Sequence, residues 1–257
     1  MRKKDFEKDL IKKFKARLPE KFQLPKNAVG KRILKEYGAL FVAGGGAVVP
    51  DTVIFKDEEE VSVWQSSVEI SRANINGFDV ELQTEAMKHL KNAIAEARNN
   101  NFSISPRGAD SARRSYAETL DLWASRVNPA LIHWVNEGKL SVTKAKRIRS
   151  LTPFEQVAEI LKLEEKGIFF SKDLSKSIVY SVAPPGTSQH LSMLALDINE
   201  YNNADARQIL AKHGWFQTVV SDLPHFTFLG KTENELAASG LKEINDESGR
   251  VFWIPNL

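Results

Sequence analysis

Apolar and polar positions divide the chain into a helical part and a stranded part. Near the N-terminus Phe6, Leu10, Ile11, Phe14 and Leu18 recur at helical spacing, with lysines on the other face. That spacing predicts a basic amphipathic helix. "GALFVAGGGAVVPDTVIF" (38–55) sets three glycines between two apolar runs and reads as strand, turn, strand. "TEAMKHLKNAIAEARNN" (84–100) has a helical period, and "FSIS" (102–105) reads as a short strand. From Ser111 to about Lys166 the period is helical almost throughout, with breaks expected at Pro129, Gly138 and Pro153. From Ile168 the chain changes to short apolar runs, "IFF", "SIVYSV", "LALDI", "WFQTVV", "HFTFLG" and "RVFWI", interrupted by one helix near Ala204–His213. Helices followed by strands, without regular βαβ alternation, predict an α+β fold. Its sheet is small, mainly antiparallel and flanked by helices.

Composition narrows the chemistry. There is no cysteine among the 257 residues, so disulfides, thiolate nucleophiles and Cys-ligated zinc are excluded. Any transition-metal site must be built from histidines and carboxylates. Residues 1–35 hold 13 Lys/Arg against 4 Asp/Glu, which leaves 23 against 29 in the remainder. The mildly acidic body offers no nucleic-acid footprint, and no nucleic-acid partner is expected. The basic N-terminal helix has two readings: it lies on an anionic surface, membrane or wall polymer, or it docks on its own domain with a solvated lysine face. No run reaches the roughly 18 apolar residues of a membrane-spanning helix. "MRKKDFEKDLIKKFKARL" has no apolar h-region and is not a signal peptide as it stands, although removal of a leader stays open. Gly44–Gly46 lack the following helix and G-K-[ST] ending of a phosphate loop.

Two of the five histidines stand apart. His89, His133 and His213 lie in helical patterns, whereas His190 and His225 sit in strand-like segments with carboxylates nearby. One reading is a metal site of His190, Asp197 and His225, with a fourth position left for water. His190 and Asp197 are seven residues apart, which a continuous strand would place on opposite faces. A turn or bulge around Leu191–Met193 is therefore required. A second reading is a serine hydrolase using Ser188, Asp197 and His225, for which "GTSQH" supplies only half of the G-x-S-x-G elbow. The S-x-x-K, S-x-N and K-T-G set of serine D,D-peptidases is absent as a set.

"SQHLSMLALD" (188–197) resembles the S-x-H-x-x-G-x-A-x-D motif of the zinc D-alanyl-D-alanine carboxypeptidases, the VanY-like peptidase family. "SDLPHF" (221–226) resembles that family's E-x-W-H segment, and "SISPRGADSARRSYAETL" (103–120) a divergent form of its S-G-Y-R-S-Y segment. The resemblance covers roughly residues 80–230. It implies a Zn2+ cofactor held by His190, Asp197 and His225, with Asp222 as general base in place of the family's glutamate. Ser188 would support a ligand or the substrate. An arginine would fork onto the substrate's terminal carboxylate, Arg107 first and Arg114 second. Met193 stands where the family has glycine, and Asp222 is one methylene shorter than glutamate. The implied substrate is a peptidoglycan stem peptide that loses a terminal D-alanine, which implies work at the cell envelope. Within the same scaffold stand an L,D-carboxypeptidase, an endopeptidase and a non-catalytic wall-binding module. Residues 1–75 form an expected N-terminal extension, and 76–257 a peptidase domain with a helical insert at about 125–165.

Overall fold

Short runs of alternating or apolar residues build three small antiparallel sheets, and longer amphipathic runs build the helices that cover them. The computed structural model describes residues 3–257. In chain order the elements are α1 (Lys3–Arg17), α2 (Ala28–Tyr37), α3 (Glu58–Ser66), β1 (Ile70–Ile75), β2 (Phe78–Gln83), α4 (Thr84–Asn99), α5 (Tyr116–Asn136), α6 (Val142–Ser150) and α7 (Pro153–Glu164). They continue with β3 (Ala195–Asp197), α8 (Ala204–Lys212), β4 (Trp215–Gln217), β5 (His225–Phe228), α9 (Glu233–Ala238), β6 (Leu241–Asn245) and β7 (Val251–Pro255). The central sheet has the order β3–β5–β4, and β1–β2 and β6–β7 are hairpins. The fold is α+β, with small antiparallel sheets flanked by helices.

Among the described residues three apolar clusters hold it together, the smallest formed by Phe55, Val61, Tyr116 and Leu191. One joins Phe14 of α1, Ile33 of α2, Leu90 of α4, Trp215 of β4 and Trp253 of β7. The position expected as a boundary, 75/76, falls beside the Asn76-Gly77 turn of the β1–β2 hairpin, and packing does not divide there. The second core, with Trp123, Leu131, Ile148, Ile160 and Phe170, belongs to α5–α7 and the segment that follows. Helix α1 docks on the body through Leu10 and Phe14, close against Gly240, where a Cβ would lie 2.3 Å from the Phe14 nitrogen. The side chain of Phe6 lies outside the described residues.

Several expected elements differ. Residues Gly38–Val42 form a buried 3₁₀ turn rather than a strand, continuing the helical path of α2, and no strand forms through residue 55. "FSIS" forms no strand, although the Ser105 carbonyl accepts from the Asn199 amide at 2.9 Å. The nearest ladder contact is the single bridge Pro106–Ile198. "IFF" is irregular and "SIVYSV" holds a 3₁₀ turn, Ile178–Tyr180. Helix α5 continues through Pro129. Proline there removes one backbone hydrogen bond, but Trp123 and Val127 before it and Leu131 and Trp134 after it are all buried, so packing on both sides keeps the helix whole.

Candidate metal centre

The register of the central sheet sets Asp197 of β3 directly opposite His225 of β5. His190 arrives from the 3₁₀ turn Gln189–Ser192, just ahead of β3. Met193 then adopts the left-handed conformation, φ 56° and ψ 31°. This is the turn that the seven-residue spacing requires, and it lets His190 and Asp197 face one point. A non-glycine residue in this conformation costs about 1–2 kcal/mol. Burial offsets the cost: Met193 is fully enclosed, its amide donates to the His190 carbonyl, and its carbonyl accepts from the Gln83 amide.

Three ligand atoms meet. His190 Nε2 lies 3.1 Å from His225 Nδ1, and each is 3.3 Å from Asp197 Oδ1. The outer nitrogens decide where the protons sit. His190 Nδ1 is 2.7 Å from the Ala112 carbonyl, which can only accept, so Nδ1 carries hydrogen. His225 Nε2 is 2.9 Å from Gln189 Oε1 and donates to it. Each ring therefore presents a bare lone pair inward, and neither can donate to the other across 3.1 Å. A cation between them resolves that conflict. Two imidazole nitrogens and one carboxylate oxygen suit zinc and leave one tetrahedral position open.

The electrostatics agree with a ligand set. Burial pushes the His190 imidazole below its ordinary pKa, against the opposing pull of Asp197, which favours the neutral form that a metal needs. Burial alone would raise Asp197. Positive charge on the adjacent imidazoles of His190 and His225, or a cation held between them, outweighs it and holds the carboxyl well below the usual carboxylate range. Its second oxygen accepts from Arg114 Nη2 at 3.0 Å.

The cluster opens on a cavity of about 220 Å³ whose lining includes Tyr37, Arg114, Arg126, Tyr180, Ser188 and Asp222. Asp222 reaches it through two tight turns: its amide donates to the Val219 carbonyl, and its carbonyl accepts from the His225 amide, each at 3.1 Å. Among the described residues no donor meets its carboxylate. Arg107 lies elsewhere. It is exposed, with its guanidinium 5.9 Å from the Tyr201 ring centroid, while its backbone amide donates to the Asp197 carbonyl. Arg114 lines the cavity but is engaged with Asp197. Arg126, which the sequence pattern did not mark, donates to Ser181 Oγ at 3.0 Å and Ser125 Oγ at 2.8 Å and has no carboxylate partner among the described residues. Nothing in a helical stretch distinguishes such a cation. Gln189, also missed, stands inside the motif beside His190.

No protein-family model matches the chain, and no curated protein matches it. Similar solved structures include VanYB in complex with D-alanine-D-alanine, 16% identical over 63% of this chain and 78% of that one, TM-score 0.38. A mutant of the vancomycin-resistance D,D-pentapeptidase VanY from the VanB-type cassette, in complex with Zn(II), is 16% identical over 71% and 86%, TM-score 0.38. The LdcB LD-carboxypeptidase is 17% identical over 67% and 70%, TM-score 0.36.

Proposed function

We propose that the protein is a zinc-dependent carboxypeptidase that removes a terminal D-amino acid, D-alanine, from peptidoglycan stem peptides. One observation carries the reading. The residues that the motif resemblance assigns to zinc, His190, Asp197 and His225, converge with two lone pairs and one carboxylate oxygen facing a common point.

Zinc held by this set supplies a Lewis acid for a scissile carbonyl and lowers the pKa of water to about 7. The chain's own groups supply the rest. Asp222, on the cavity wall without a protein partner, takes a proton from the attacking water and returns it to the leaving amine. Arg114 holds Asp197 ionised. Arg126 pairs with the substrate's terminal carboxylate, because it is the cavity arginine without an anionic partner among the described residues. On this reading the protein works at the cell envelope.

Mass spectrometry of a muropeptide digest incubated with zinc-supplemented protein tests it. The expected result is loss of one terminal D-alanine from pentapeptide stems. Loss from tetrapeptide stems would reassign the bond to L,D chemistry, and separation of cross-linked dimers would reassign it to an endopeptidase. A protein that binds no zinc and leaves every muropeptide intact would end the proposal.

A further inference from the structure

We infer that Gln189 is a positioning residue of the metal centre, fixing which nitrogen of His225 faces the metal. This rests on the metal reading above.

An imidazole has two neutral tautomers, and only the one with hydrogen on Nε2 leaves His225 Nδ1 free to bind. Gln189 Oε1, 2.9 Å away, is the acceptor that selects that form. The amide cannot turn over. Its Nε2 donates to the Tyr37 carbonyl at 2.8 Å, and its Oε1 also accepts from Thr227 Oγ1 at 2.5 Å. Rotating the amide would set an oxygen against the Tyr37 carbonyl and an NH₂ against the His225 N–H. Gln189 is 1% exposed, so water cannot substitute for either contact. The two imidazoles differ here. The tautomer of His190 is set by a backbone carbonyl, that of Ala112, whereas that of His225 is set by a side chain. Because Tyr37 ends α2, the N-terminal segment outside the family resemblance takes part in the metal site through this amide.

Histidine ring ¹⁵N NMR of the metal-free wild type is the first measurement, with His225 expected as the Nε2–H form. The second is zinc affinity by chelator competition for Gln189→Met and Gln189→Glu, each well below its melting temperature. Partners that orient a ligating histidine typically contribute about 10–100-fold in metal affinity. Gln189→Met should therefore lose about that factor and show mixed His225 tautomers. Gln189→Glu keeps an acceptor at His225 Nε2 but sets its second oxygen against the Tyr37 carbonyl, so it should lose stability yet keep His225 in the Nε2–H form and bind zinc more tightly than Gln189→Met. A purely structural role would lower the melting temperature of both variants and leave tautomer and affinity alone. His225 found as the Nδ1–H form in the wild type overturns the inference, as does Gln189→Met binding zinc within twofold of wild type. Wild type that binds no zinc while His225 stays in the Nε2–H form overturns the metal reading instead, so the two failures are distinct.

Discussion

Helices α5–α7 and the sheet β3–β5–β4 bury their polar groups differently. The helical core is Trp123, Leu131, Ile148, Ile160 and Phe170, and its buried polar groups pair locally: Trp123 Nε1 donates to Gln156 Oε1, Trp134 Nε1 to the Phe169 carbonyl, and Ser177 Oγ and the Ile178 amide to the Glu164 carboxylate. Around the sheet, Gln189, Ser192, Thr218, His225 and Thr227 are all buried and joined in one network, with His190 buried beside it. A buried polar group left unmet costs about 1–3 kcal/mol. Among the described residues, the buried side-chain atoms without partners are His89 Nδ1, Trp215 Nε1, Gln217 Oε1 and Trp253 Nε1, none of them in α5–α7. The sheet thus gathers a connected set of buried polar side chains at the site, while the helical unit adds apolar stability and lends the cavity Arg126. Substitutions should separate these two kinds of effect.

The largest effect belongs to the ligands. His190→Ala should abolish stoichiometric zinc binding and with it the stabilisation that saturating zinc gives, about 2.7 kcal/mol at a hundred times Kd, read as a rise in melting temperature. Metal analysis and a zinc titration of the melt check this. An undiminished zinc-dependent rise in the variant would move the metal site elsewhere. Next comes Asp222→Asn, which should keep zinc and fold while losing about 10²–10⁴-fold in kcat, the usual contribution of general acid–base catalysis. Near wild-type turnover would reopen the choice of base.

The helical unit should respond in the opposite way. Ile160 is fully buried in its core. Ile160→Ala should cost about 2–5 kcal/mol of stability by cavity formation and leave zinc affinity unchanged. Loss of zinc binding at a temperature where the variant is folded would show that the two regions are coupled.

A pH scan sharpens the contrast in metal-free protein. His190 has a folded pKa below its ordinary 6.5 because of burial, so its contribution to stability is present above that value and is lost as pH falls below it. Asp197, also lowered, adds a further loss beneath its ordinary 3.8. Wild type should therefore lose stability from about pH 6.5 downward, by at most about 1.4 kcal/mol per pH unit for one proton. His190→Ala should flatten the slope just below 6.5. An unchanged slope would assign the proton to another group.

The same division governs what could be read from the chain alone. His190, Asp197 and His225 were legible because they fall in "SQHLSMLALD" and "SDLPHF", the segments that carry the family resemblance, whereas spacing alone leaves a serine hydrolase open. Arg126 and Gln189 were not, since each acts through contacts with residues distant in sequence, Ser181 at one and Tyr37 and Thr227 at the other. The β1–β2 hairpin carried a usable local signal that went unread: Asn76-Gly77, with φ of 49° and 89°, is the dipeptide that a two-residue hairpin turn favours. Its flanking strands mix apolar and polar residues, as in "FDVELQ", and are only partly buried, so they lack the apolar run that marks the central sheet. "FSIS" and "IFF" have that apolar character but find no partner strand, a tertiary fact that local pattern does not encode.

Met193 offers the smallest and most local test, because there the sheet's geometry is held at the expense of backbone comfort. Its left-handed conformation directs the chain from His190 to Asp197, and its side chain is fully buried. Removing that side chain to alanine should destabilise the protein by about 2–5 kcal/mol, the range for a buried methionine. Glycine removes one more carbon and, in ordinary helix or strand, would be worse than alanine by about 0.5–1 kcal/mol. At φ 56° the order should reverse, since glycine alone escapes the left-handed penalty of about 1–2 kcal/mol. Met193→Gly should therefore be more stable than Met193→Ala by about 1 kcal/mol in chemical denaturation, with zinc affinity equal to or above that of the alanine variant. Alanine proving the more stable of the two would mean that the turn relaxes out of the left-handed region once methionine is gone. The convergence of His190 with Asp197 would then depend on side-chain packing rather than on the backbone turn.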